Sequence, residues 1–154
     1  NLPLVIVGEG AEKKKLMKMA KENIKFIDWQ SGSDLIGYYQ RCRALIFPGE
    51  EDFGIVPVEA QACGKPVIAF GNGGATESVK GTYPDQDITS SHTGIFFRPQ
   101  TAEALIQAVR RSESARFDPE RVREHALRFD KEIFRESIKE FIETKVAEHQ
   151  ASLR

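Results

Sequence analysis

Scarcity is the first feature of this chain. Its 154 residues include two cysteines, Cys42 and Cys63, two methionines and a single tryptophan. The two cysteines have neither metal-site nor disulfide spacing, so they read as two buried thiols. Excess charge is also missing. Lys and Arg number 22 against 23 Asp and Glu, and the formal net charge of -1 makes no electrostatic case for nucleic acid. No apolar run approaches the ~20 residues of a membrane span. No signal peptide opens the sequence, which points to the cytoplasm. There is no initiator Met either, and Asn1 leads straight into a strand.

What is present is an ordinary globular balance, 40% hydrophobic and 29% charged, at a length that supports one domain with a real core. Leu2-Pro3-Leu4-Val5-Ile6-Val7 is a continuous apolar run, as in a parallel strand buried on both faces. Gly8-Glu9-Gly10 turns it into a helix from about Ala11 to Lys21, with Leu16, Met19 and Ala20 on one face. A dinucleotide fingerprint would need a third glycine at position 13, where Lys13 stands. Ile24-Lys25-Phe26-Ile27 is a second strand. The loop Asp28-Trp29-Gln30-Ser31-Gly32 follows, and Ser33 is positioned to cap a helix from Asp34 to Arg41.

Further on, Pro66-Val67-Ile68-Ala69-Phe70 and Gly94-Ile95-Phe96-Phe97 read as buried parallel strands. Between them come a Gly71-Asn72-Gly73-Gly74 turn, a short helix from Ala75 to Val79, and a polar loop from Lys80 to Thr93. Thr101 caps a helix over Ala102 to Arg111. Asp118, with Pro119 at the first helical position, opens another. A long amphipathic helix runs from Lys131 to about Glu148, its apolar face formed by Ile133, Phe134, Ile138, Phe141, Ile142 and Val146. His92, His125 and His149 are scattered without partners at useful spacing and read as surface residues. Strand–helix alternation of this kind defines an α/β fold, a Rossmann-like parallel sheet with helices on both faces and right-handed crossovers.

The chemistry concentrates in Gly49-Glu50-Glu51-Asp52-Phe53-Gly54-Ile55-Val56-Pro57-Val58-Glu59-Ala60. The strand Arg43-Ala44-Leu45-Ile46-Phe47 enters this stretch, and a helix from Ile55 to Cys63 leaves it, stopped by Gly64-Lys65-Pro66. Pro57 suits a first helical turn, where its missing N–H costs nothing. A helix start offers free N–H groups and about half a positive charge, which suits a phosphate. Gly54 allows close approach of a ligand to the backbone. Glu51 lies in the loop and Glu59 about one turn into the helix. Two carboxylates beside a phosphate repel it, so both are better suited to accept hydrogen bonds from hydroxyls, a sugar on one side and a ribose on the other. The alternative is an acidic surface loop with Glu59 solvated on its helix.

Glu51-x7-Glu59, filled by Phe53-Gly54-Ile55-Val56 and followed by Ala60-x-Ala62-Cys63-Gly64-Lys65-Pro66-Val67-Ile68-Ala69, resembles the signature of the family-4 retaining glycosyltransferases. The resemblance covers nearly the whole chain and corresponds to the carboxyl-terminal, donor-binding half of their GT-B fold. Cys42-Arg43-Ala44-Leu45-Ile46-Phe47-Pro48-Gly49-Glu50-Glu51-Asp52-Phe53-Gly54 looks most like mannosyltransferases of bacterial surface-polysaccharide (O-antigen type) assembly.

The likeness implies a single donor-binding domain over residues 1–154. A preceding acceptor domain and the domain's own first strand and helix would be missing, so the isolated piece would be inactive. It implies transfer of a hexose, mannose favoured, from a nucleotide diphosphate sugar, GDP-mannose favoured, to a glycan or lipid-linked acceptor. The place of action would be the cytoplasm, or the inner face of the cytoplasmic membrane as a peripheral protein, without a metal or other cofactor.

Residue by residue, the likeness implies that Glu51 holds the donor sugar's hydroxyls and Glu59 the ribose hydroxyls. The N–H groups of Phe53, Gly54, Ile55 and Val56 would face sugar and diphosphate, and Trp29, Gln30 and Ser31 would border the base. The turn Gly71–Gly74 would lie near the sugar with N–H groups available. Retention would proceed by attack on the face the phosphate leaves, with that phosphate as the base. Asp52 departs from the small residue usual between Glu51 and Phe53. Asp85-Gln86-Asp87 spells a metal motif of a different glycosyltransferase fold but lacks a strand-end context. Rival readings are a nucleotide-binding or regulatory module without transferase activity, and a nucleotide-sugar epimerase or phosphorylase of related fold.

Overall fold

The computed structural model describes residues 2–152, arranged as two compact units, residues 2–38 and residues 39–152. In the first unit, β1 (Leu4–Val7) and β2 (Ile24–Ile27) pair in parallel, with Leu4 opposite Ile24 and Val7 opposite Ile27. Helix α1 (Lys13–Met19) connects them and is shorter than its sequence pattern implied.

Burial also departs from expectation here. Val5 and Ile6 are 44% and 36% exposed, and Leu16 and Met19 on α1 are exposed as well. Two four-residue strands and a seven-residue helix have too little surface to cover both faces of a sheet. Lys13, standing where a dinucleotide fingerprint would place glycine, forms an ion pair with Asp28 at the end of β2 and reaches the Gly8 carbonyl at 3.5 Å.

Helix α2 (Gly32–Arg41) starts at Gly32, so Ser33 lies inside the first turn rather than at a cap. It leads into the second unit, whose strands are β3 (Leu45–Phe47), β4 (Val67–Phe70), β5 (Gly81–Thr82) and β6 (Gly94–Phe97). They form one parallel sheet in the order β3-β4-β6-β5. Successive side chains on a strand alternate between faces. Ile68, Ile95 and Phe97 therefore share one face, where they pack against Ala104 and Ala108 of α5 (Ala102–Ser114). Val67 and Ala69, fully buried, occupy the other face, towards α3 (Ile55–Ala62). Continuous apolar runs in β4 and β6 thus reflect a sheet covered on both sides.

The caps read from sequence hold in this unit. Thr101 Oγ1 accepts from the Ala104 N–H at 3.3 Å, and Asp118 Oδ1 accepts from Glu120 at 2.9 Å at the start of α6 (Pro119–Leu127). Helix α6 packs on α3. A buried glutamine links α3 to the short α4 (Ala75–Ser78): the Gln61 amide donates to the Pro57 carbonyl at 3.0 Å and to the Ser78 carbonyl at 2.9 Å. The last helix, α7 (Lys131–Ser152), is exposed along its whole described length, Phe134 and Phe141 included.

Three expectations from sequence change here. β5 falls inside the stretch read as loop, because two residues carry no periodic signal. Cys42 and Cys63 are half-buried rather than buried, although burial still pushes the Cys42 thiol's pKa up. His125 is not a surface residue: it is 9% exposed and meets the Phe129 ring edge-on at 6.0 Å. Burial, helped by the Arg128 and Lys80 charges, holds its pKa below the ordinary 6.5.

The unfolded chain therefore binds the His125 proton more readily than the folded one does. The stability linked to this group is full above about pH 6.5 and is lost as pH falls through the lower folded value. Urea unfolding followed from pH 8 to pH 5 should show this acid loss, and a His125→Leu variant should flatten it.

Candidate functional site

The site forms where β3 ends. The chain passes from Phe47 through Pro48 and Gly49 into the acidic loop, then turns into α3 at Gly54. Gly54 caps the helix in the left-handed region, φ 80°, which side-chain-bearing residues rarely adopt. No side chain caps α3. Among the described residues, no hydrogen bond occupies the N–H groups of Gly54, Ile55 or Val56. These residues line a cavity of about 540 Å³ formed by the chain from Glu50 to Val56. Free N–H groups at a helix start favour an anion, and the same lining carries the carboxylates of Glu50, Glu51 and Asp52.

The loop is fixed from both sides. Phe53 stacks edge-on against Phe129 with ring centroids 5.5 Å apart. On the other side the turn after β4 docks onto it: the Gly74 N–H donates to the Glu51 carbonyl at 2.7 Å. A Cβ at position 74 would lie 2.3 Å from Phe53 Cα and 2.4 Å from the Asp52 carbonyl oxygen, so only glycine fits. This corrects one expectation. The Gly74 N–H is not available to a sugar, because it holds the acidic loop.

Asn72 in the same turn donates to Glu50 Oε1 at 2.6 Å and accepts from Arg98 at 3.4 Å. Asn72 and Arg98 were missed from the sequence. Arg98 directly follows β6 and Asn72 lies two residues past the end of β4, so both sit at strand ends of the parallel sheet, which is the positional signal that could have found them.

In the second unit Glu51, Phe53, Gly54, Ile55 and Val56 share the lining of the cavity, and Glu59 lies one turn into α3, outside that lining. The Glu51 side chain is exposed and takes no hydrogen bond or ion pair among the described residues. Glu59, one turn into α3, accepts a hydrogen bond from the Tyr39 hydroxyl at 2.9 Å. Trp29, Gln30 and Ser31 lie in the first unit, at the end of β2. Trp29 is 73% exposed and does not pack on a sheet edge. Gln30 donates to the Asp28 and Trp29 carbonyls, and the Ser31 hydroxyl to Asp34. Their contacts are thus local to that loop. Gln86, between Asp85 and Asp87, accepts from the Tyr83 N–H in a turn of its own.

The fold and this site define a class. Among solved structures, sucrose-phosphate synthase from Thermosynechococcus elongatus is similar to 94% of this chain, covering 38% of that one, at 27% identity and a TM-score of 0.72. The chain is a glycosyltransferase domain of the GT-B type. More narrowly, it belongs to the family of glycosyl transferases group 1, whose model matches residues 1–129.

A D-inositol 3-phosphate glycosyltransferase from Saccharomonospora viridis is 33% identical over 129 residues, 79% of this chain and 29% of the relative. A GDP-mannose-dependent monoacylated alpha-(1-6)-phosphatidylinositol monomannoside mannosyltransferase from Corynebacterium glutamicum is 37% identical over 87 residues, 49% of this chain and 23% of the relative. The chain spans less than a third of the length of these curated relatives. No helix among the described residues is long and apolar enough to cross a membrane.

Filling the Gly74 contact should disrupt the loop. Gly74→Ala is expected to lower stability by about 1–3 kcal/mol, the usual cost of forcing extra volume into a packed contact. The urea unfolding midpoint measures it, and an unchanged midpoint would mean that the turn does not press on the loop.

Proposed function

We propose that the chain is the donor-binding part of a retaining hexosyltransferase. In this reading it takes mannose from GDP-mannose and passes it to a glycan or lipid-linked acceptor in bacterial surface-polysaccharide assembly. The reaction runs in the cytoplasm, or at the inner face of its membrane, without a metal. One observation carries the proposal: in a chain of this family, two carboxylates flank an uncapped helix start, Glu51 before it and Glu59 one turn after it.

Each residue then has a task. Unoccupied N–H groups of Gly54, Ile55 and Val56, together with that of Phe53, receive the diphosphate and the sugar edge. Glu51 accepts hydrogen bonds from the sugar hydroxyls and so fixes the ring for attack on the face the phosphate leaves. Glu59 accepts from the ribose. Trp29, Gln30 and Ser31 border the base, and the exposed Trp29 ring offers a stacking surface. An acceptor-binding domain in the same enzyme completes the reaction. The mannose assignment draws support from the relative named as GDP-mannose-dependent.

Calorimetric titration of the chain with GDP, UDP and GDP-mannose tests this. GDP and GDP-mannose should bind more tightly than UDP. Glu59→Ala should cost about 1 kcal/mol or more, roughly fivefold in affinity, as expected for a lost charged hydrogen bond. Tighter binding of UDP would remove the mannose assignment but leave the site. Equal binding by wild type and Glu59→Ala would remove Glu59 from the donor site.

A further inference from the structure

Tyr39 sits on the last turn of α2 and is 7% exposed, so its ring is part of the core. Its hydroxyl is not idle there, since it donates to Glu59 Oε2 at 2.9 Å. Glu59 itself is exposed, so one oxygen of its carboxylate is held from beneath while the group as a whole faces solvent.

A carboxylate has about four lone-pair sites, and a phenol hydroxyl fills one of them. Beyond that bond a carboxylate has lone pairs enough for two adjacent hydroxyls to donate together. A free glutamate on a helix surface would sample many rotamers, and a ligand would have to freeze it. The Tyr39 bond removes that freedom before the ligand arrives.

The choice of a phenol as the partner has its own consequence. The partner that the structure gives Glu59 is an uncharged hydroxyl. A cation would neutralise the carboxylate and compete with an incoming hydroxyl. A phenol orients it and leaves its full negative charge for the ligand. Burial, then the hydrogen bond and charge of Glu59, raise the phenol's pKa above its ordinary 10. Tyr39 therefore stays a donor throughout the physiological range.

We infer that Tyr39 is a positioning residue for the donor nucleotide: its buried hydroxyl orients the Glu59 carboxylate to receive both hydroxyls of a ribose, and so sets selectivity for ribose over 2′-deoxyribose. This rests on the reading of Glu59 as the ribose-binding group. The selectivity follows from the geometry. A carboxylate fixed in one orientation rewards two donors at a defined spacing, whereas a loose one can reorient to a single hydroxyl and discriminates less.

The test compares GDP with 2′-deoxy-GDP, and UDP with 2′-deoxy-UDP, by calorimetric titration of wild type, Tyr39→Phe, Glu59→Ala and the double variant. Wild type should prefer the ribonucleotide by about tenfold, the worth of one hydrogen bond to a charged group. Tyr39→Phe should weaken ribonucleotide binding several-fold while leaving the 2′-deoxy ligand nearly unchanged, so the preference shrinks. In the Glu59→Ala background the Tyr39 substitution should have no further effect.

A merely structural role would weaken both ligands equally and leave their ratio intact, and that result would overturn the inference. The ratio is read on folded protein alone, so it still reports if Tyr39→Phe is destabilised. If Glu59→Ala keeps the full ribose preference, the ribose reading of Glu59 fails. If Glu59→Ala loses it while Tyr39→Phe keeps it, only the role of Tyr39 fails.

Discussion

The contact between the Gly74 N–H and the Glu51 carbonyl is the constraint on which the rest of the site depends. It ties the end of β3 to the end of β4 across a gap too narrow for any side chain at position 74. With the loop held there, Gly54 can turn the chain into α3 at a left-handed φ, and the first residues of that helix line the cavity. Phe53 on Phe129 and Asn72 on Glu50 brace the same loop from other directions. A highly charged loop at a strand end would otherwise be free to spread. Here the backbone is pinned while the Glu51 side chain stays exposed.

Much of this was legible in the sequence, for reasons that differ by element. Val67–Phe70 and Gly94–Phe97 announced themselves as buried strands because a parallel sheet covered on both faces permits apolar residues at every position. Thr101 and Asp118 marked helix starts because a cap is a local interaction between neighbours in sequence. The spacing of Glu51 and Glu59 around Gly54 exposed the site for the same reason: strand, loop and helix start are contiguous.

What stayed hidden was non-local. The Tyr39–Glu59 bond joins residues 20 apart on different helices, and the Asn72–Arg98 contact joins residues 26 apart, so no periodicity reports either. His125 looked like a polar residue on an amphipathic helix. Its burial depends on Phe129 and on how α6 meets α3, which composition does not reveal. The apolar strand β1 erred in the other direction. Hydrophobic residues forecast what a chain would favour burying, and the small unit that holds Val5 and Ile6 leaves them half open.

Gln61 has a mechanical role. Its side-chain amide, wholly inside the protein, holds one carbonyl of α3 and one of α4 at the same time. The helix whose start faces the cavity and the helix that follows the Gly73–Gly74 turn are therefore yoked through a single planar group. Pulling the two helices apart would break the bond to Ser78 and leave its carbonyl and the Gln61 amide without each other. The short helix after the Gly73–Gly74 turn is thus anchored to the helix whose start lines the cavity by one buried amide.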